Sequence, residues 1–110
     1  MNEYEIIPRD CALIANELGF HEKVYDFYTT VDGTLYEAKR ELNPKMEDFN
    51  DGSWHNRFSA PTKNQIRLWL IENYDIHISS KKLIEPSKFK MSEDSIFNLN
   101  LLVELRKINQ

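Results

Sequence analysis

Apolar and polar positions along this chain recur with two different periods, and each change of period marks an element. From Thr62 onward, Ile66, Trp69, Leu70 and Tyr74 fall at helical spacing, with Lys63, Asn64, Arg67 and Glu72 mostly on the opposite side. Thr62 and Gln65 are spaced as a capping box, and Pro61 cannot continue a helix backwards and is placed to pack on Ile66. The spacing predicts a helix over 63–74 with Trp69 at the centre of the core. Asn73 and Asp75 suit its end because both residue types tolerate the left-handed conformation. Ile76-His77-Ile78 then switches to a period of two, predicting a strand over 76–79 with His77 turned away from the core.

Upstream, residues 4–7 are a short apolar start that reads equally as a strand edge or as lead-in. Pro8 and Asp10 suit the first turn of a helix whose apolar face is Cys11, Ile14, Ala15 and Leu18, and Gly19 is the expected left-handed residue after its end. Phe20 can fold back on that helix. Residues 24–30 (VYDFYTT) and 34–38 (TLYEA) are rich in aromatic and β-branched side chains and flank Asp32-Gly33, which predicts a β-hairpin with a type I′ turn. Tyr25 and Phe27 share one face of it and Val24 and Tyr28 the other, so one side expects a helical cover and the other a partial one. Residues 39–58 hold turn signals and no sustained period, and read as a long connection. Residues 79–91, with Pro86, read as loop or as an irregular edge strand around Leu83-Ile84 and Phe89. Ser92 caps a last helix over 93–108, with Glu93 and Asp94 at its positive pole and Arg106 and Lys107 at its negative one.

Together these signals predict an α+β fold in one domain, 1–110, with about three helices on a small, mainly antiparallel sheet made of the hairpin and one further strand. A length of 110 residues leaves no room for a second core of ordinary size. No apolar run approaches the ~20 residues of a membrane span, and the first ten residues lack the basic and apolar regions of a signal peptide, so a cytoplasmic protein is expected. A single cysteine excludes an intramolecular disulfide and a cysteine-based zinc cage. The formal charge of −4 disfavours a broad phosphate-binding surface. Lys81, Lys82, Lys88 and Lys90 make one local basic cluster, which reads first as a solvated loop.

Candidate chemistry is sparse. No two of His21, His55 and His77 are spaced to share a helix face, and phosphate loops, nucleophile elbows and metalloprotease helices are absent, so no cofactor, metal or catalytic residue is expected. His55 could act with Glu41, Glu47, Asp48 or Asp51 only if the loop brought them together. Cys11 lies on an apolar helix face and reads as a small buried hydrophobe. The aromatics of the long connection carry the better functional candidates. Phe49, Trp54, His55 and Phe58 either pin the loop to the core or line a recognition surface, pinning being the commoner use of such side chains. In the last helix, Phe97, Leu101, Leu105 and Ile108 form one stripe and Leu99, Leu102 and Val103 lie partly off it, so a homodimer through this helix is also expected.

Leu18-Gly19-Phe20, Tyr25, Tyr28, residues 59–62 (SAPT), Trp69-Leu70 and Ile76-His77-Ile78, in that order, resemble small uncharacterised proteins encoded in bacteriophages and prophages, notably of gut Bacteroidetes. The resemblance covers roughly residues 9–78; this chain has Asp75 where such proteins usually have Gly, and Ile71 where an Arg often stands. It implies a shared fold and a mobile-element origin and carries no chemistry. The expectation is a phage or prophage accessory protein of the bacterial cytoplasm, a non-catalytic domain binding a protein partner. The alternatives are a nucleic-acid-associated accessory protein, using the lysines with hairpin tyrosines for stacking, and a small hydrolase built on His55.

Overall fold

In the computed structural model, which describes residues 2–83 and 91–110, each helix begins where the sequence places its cap. Helix α1 (Arg9–Glu17) follows Pro8 and closes at Gly19, φ 89°. The Gly19 amide donates to the Asn16 carbonyl (3.1 Å) and the Phe20 amide to the Ala15 carbonyl (2.9 Å), a Schellman ending that delivers Phe20 into the core. Helix α2 (Lys63–Tyr74) has both arms of its capping box, Gln65 N to Thr62 Oγ1 at 3.1 Å and Thr62 N to Gln65 Oε1 at 3.0 Å, and stops at Asp75 with φ 53°. Helix α3 (Glu93–Ile108) starts at Ser92, whose hydroxyl accepts from the Ser95 amide, with acidic residues in the first turn and basic residues in the last. None of these helices is long and apolar enough to cross a membrane.

The strands β1 (Asp26–Thr29), β2 (Leu35–Tyr36) and β3 (Arg57–Ala60) form an antiparallel sheet in the order β2-β1-β3, so the fold is α+β. Phe27 lies opposite Tyr36 and Ser59, and Thr29 opposite Arg57. The third strand is thus 57–60 and not the expected 76–79. Ile76, His77 and Ile78 have no regular structure; Ile78 is buried and His77 exposed, so their alternation reports an irregular segment lying on the core. β3 is set by burial, because Ser59 and Ala60 have weak strand propensity and yet both, with Phe58, are shut from solvent. The connection between β2 and β3 keeps its length but runs over 37–56, and it includes a 3-10 turn at Arg40–Leu42. The expected features at Ile84, Pro86, Lys88, Phe89 and Lys90 lie outside the described residues.

The hairpin turn also differs from expectation. Residues 30–33 form a longer loop in which Gly33 alone is left-handed (φ 73°), whereas a type I′ turn needs two such residues. Asp32 sets this geometry: its Oδ1 accepts from the Thr34 amide at 3.0 Å and from the Thr29 hydroxyl. A side chain at position 33 would also meet Arg9, whose Nε lies 2.5 Å from where a Cβ would stand.

One face of the sheet is sealed by helices. Val24, Tyr28, Phe58 and Ala60 share a core with Cys11, Ala12 and Ala15 of α1 and Phe97, Leu101 and Leu105 of α3, while Trp69 meets Phe20 edge-on at 5.3 Å. Residues 2–7 form a strap across the start of α2. The Ile7 amide donates to the Pro61 carbonyl, and the Lys63 and Asn64 amides donate to the carbonyls of Glu5 and Glu3. Lys63, expected on the solvent side of α2, is completely buried. Its Nζ donates to Glu5 Oε2 (3.2 Å) and Asp94 Oδ1 (2.8 Å) and lies 5.7 Å from the centre of the Phe97 ring. The two carboxylates are about half exposed, so solvent screens them and not the ammonium. The bond from Lys63 holds the Asp94 carboxyl below its ordinary range.

Two predictions follow from this asymmetry and from the turn. Glu5→Gln with Asp94→Asn strands a buried ammonium and is expected to cost ~3–5 kcal/mol, whereas Lys63→Met leaves carboxylates that water can solvate and stays within ~1 kcal/mol of wild type. Urea unfolding of both variants checks the order; a larger loss for Lys63→Met would refute it. The hydrogen bonds from Thr29 and Thr34 lower the Asp32 carboxyl to about 2. A lowered folded-state pKa gives stability that is present above the unfolded value of ~3.9 and lost as pH falls through the folded one. The stability difference between wild type and Asp32→Asn should therefore shrink steadily from about pH 5 to about pH 2; a constant difference would contradict it.

Candidate interaction face of the sheet

The side of the sheet away from the helices carries a cluster of aromatic side chains. Strand alternation puts Phe27 and Thr29 there, and the register adds Tyr36 beside Phe27 and Arg57 beside Thr29. Phe27 and Tyr36 stack at 5.3 Å with an interplanar angle of 11°. The 37–56 connection then lays two more rings on this face: Phe49 at 5.0 Å from Phe27, and Trp54 at 5.4 Å from Phe49.

Hydrogen bonds fix that connection in place. The Phe49 amide donates to Ser59 Oγ (3.0 Å), Asn50 Oδ1 accepts from the Ser59 amide (2.9 Å), and Asn50 Nδ2 donates to the Phe20 carbonyl (2.8 Å). Arg57 completes the face. Its guanidinium lies 4.3 Å over the Phe27 ring and 4.7 Å over the Trp54 ring.

Of the four residues singled out in the sequence, the structure brings two together. Phe49 is 6% exposed and pins the loop, and Trp54 is half-buried at the rim of the same cluster. His55 is exposed beside it, and Phe58 sits on the opposite face, buried and stacked on Tyr28 at 5.6 Å. Arg57, Tyr36 and Phe27 were not singled out, because only the strand register unites them with Trp54. Tyr36 is 51% exposed, which makes it the most accessible ring of the cluster.

The acid–base arrangement imagined around His55 does not form. Asp48 pairs instead with His21, whose Nδ1 lies 3.0 Å from Asp48 Oδ2. Among the described residues no group of three or more His, Cys, Asp or Glu side chains could hold a metal ion. Burial pushes the Cys11 thiol up to about 12, with Asp10 adding to the effect and Arg106 opposing it, so it is a neutral core group. Of the three hairpin tyrosines only Tyr36 offers an open ring for base stacking. Tyr28 is buried with its hydroxyl donating to the Ile7 carbonyl (2.7 Å), and Arg40 lies 4.1 Å over Tyr25. Beside Tyr25, a groove of about 450 Å³ is lined by Tyr4, Arg40, Thr62, Asn64 and Gln65. No family model matches the chain, and neither a curated protein nor a solved structure matches it.

Cys11 gives a direct check on this assignment of the core. With its thiol buried and neutral, alkylation of the native protein near pH 8 should be negligible over hours and complete within minutes once urea unfolds the chain. Rapid stoichiometric labelling of the native protein would place Cys11 at a reactive surface.

Proposed function

We propose that this chain is a non-catalytic protein-interaction domain, an accessory protein of a phage or prophage acting in the cytoplasm of a bacterial host, and that it binds its partner through the outer face of the sheet. The mobile-element origin and location rest on the sequence resemblance. The contact face rests on one observation: Tyr36, Trp54 and Arg57 are held in a fixed aromatic stack with Tyr36 half in solvent. Tyr, Trp and Arg are the residue types that dominate protein contacts, and rigid rings lose little conformational entropy when a partner covers them. A second surface supports self-association. On α3, Leu99 is 41% exposed, and Ile96 and Val103 share its side without joining the core cluster, which suits a homodimer in solution.

Capture from host lysate by wild type and by Tyr36→Ser tests the contact face. The expected result is a protein retained by wild type and lost with Tyr36→Ser while the circular dichroism spectra of the two stay superimposable. Equal retention by both refutes the face, and loss of the captured material on nuclease treatment favours the nucleic-acid reading instead. Light scattering at high micromolar concentration should give twice the monomer mass, falling to the monomer in Leu99→Glu; a monomeric wild type removes the homodimer.

A further inference from the structure

Among the described residues no anion pairs with the Arg57 cation of the contact face, and we infer that Arg57 receives a single carboxylate of the partner protein, with an apolar neighbour of that carboxylate resting on Tyr36 and Trp54. This rests on the outer face being the contact surface. Two arginines of this chain lie over aromatic rings and differ in what meets their donors. Arg40 lies 4.1 Å over Tyr25, and its fork is closed by protein: Nη2 donates to Asp26 Oδ2 (2.8 Å), and Nη1 donates to Asp26 Oδ1 (3.2 Å) and to the Ala38 carbonyl (2.8 Å). Arg57 has the same aromatic seat twice over, at 4.3 and 4.7 Å. Among the described residues, however, no carboxylate lies within ion-pair distance of Arg57 and its guanidinium makes no hydrogen bond to protein. Its contacts are with the two rings, so among the described residues the N–H donors have no protein acceptor.

A planar fork of donors matches a carboxylate or a phosphate, and contact with two rings narrows where it can sit before binding. Charge around the seat separates those two ligands. The depression of about 350 Å³ beside Trp54 is lined by Glu47, Asp48 and Asp51 against Lys23 and Lys45, and the whole chain carries −4. A phosphodiester strand or a dianion brings several negative charges against those carboxylates. A lone carboxylate flanked by an apolar side chain brings one, and its neighbour gains the exposed ring surface.

The test uses the ¹⁵N-labelled chain with three probes: the blocked dipeptides Ac-Phe-Glu-NH2 and Ac-Phe-Gln-NH2, and phenyl phosphate. The readouts are the Arg57 Nε–H and Trp54 Nε1–H signals, assigned with R57Q and Trp54→Phe. The Glu dipeptide is expected to bind about tenfold more tightly than the Gln dipeptide, the worth of one charge-assisted pair, and R57Q should bring the two to equality without altering signals of the helical core. Equal binding of the two dipeptides to wild type, or a preference that survives R57Q, overturns the inference. Phenyl phosphate binding tenfold more tightly than the Glu dipeptide overturns it in favour of a phosphate ligand. The contact face has its own control: dipeptides that bind equally and are weakened by Tyr36→Ser leave the face standing without the carboxylate, and probes that move neither signal bring down both.

Discussion

Lys63 is the constraint that fixes how distant segments of this fold meet. An ammonium with no exposure to water is tolerable only if carboxylates reach it, and here one comes from the N-terminal strap and one from the first turn of α3. The same residue opens α2, and its amide holds the strap through the Glu5 carbonyl. Three segments far apart in sequence therefore meet at one charge. The apolar core alone would not fix their mutual placement so narrowly, because alternative packings of Ile, Leu and Phe differ by little while an unpaired buried charge costs several kcal/mol.

That arrangement consumes one face of the sheet and leaves the other. Tyr28, Phe58 and Ala60 are closed over by α1, on which α3 packs, so the rings on the alternate positions of the same strands lie outside that helical cover. The 37–56 connection supplies Phe49 and Trp54 in place of a second helical layer, anchored through Ser59 and Asn50. This cover is thin. It buries Phe49 but leaves Tyr36 half in water and, among the described residues, the Arg57 fork without a protein acceptor. This surface, aromatic and incompletely satisfied, differs from the Arg40–Asp26 pair a short distance along the chain, where both terminal nitrogens of the guanidinium meet the carboxylate.

Local signals were the readable ones. The limits of α2 and α3 follow from Thr62 with Gln65, from Ser92 and from Asp75, because capping involves residues a few positions apart and depends little on tertiary context. Gly19 and Phe20 are equally local. What escaped is non-local. Lys63 looks like a solvent-facing residue until Glu5 and Asp94, 58 and 31 positions away, are brought to it. Arg57 looks like loop until pairing with Thr29 aligns it with Phe27. β3 was hidden for a related reason: Ser59 and Ala60 carry no strand preference of their own, whereas Ile76 and Ile78 carry it and find no ladder partner. Half of the candidate face, Phe49 and Trp54, was visible as aromatics in an irregular segment; the half that gives it a cation was visible only through register.

The Lys63 cluster makes the N-terminal strap part of the cooperative core. Hydrogen exchange at single amides measures this directly, through Ile7, bonded to the Pro61 carbonyl, and Lys63, bonded to the Glu5 carbonyl. Both amides should exchange as slowly as that of Phe27 in the central strand, within about a factor of ten, because opening the strap requires the whole domain to open. Exchange at these two positions faster by roughly a thousandfold than at Phe27 would show a strap that frays by itself, and would contradict the claim that one buried ammonium ties the fold together.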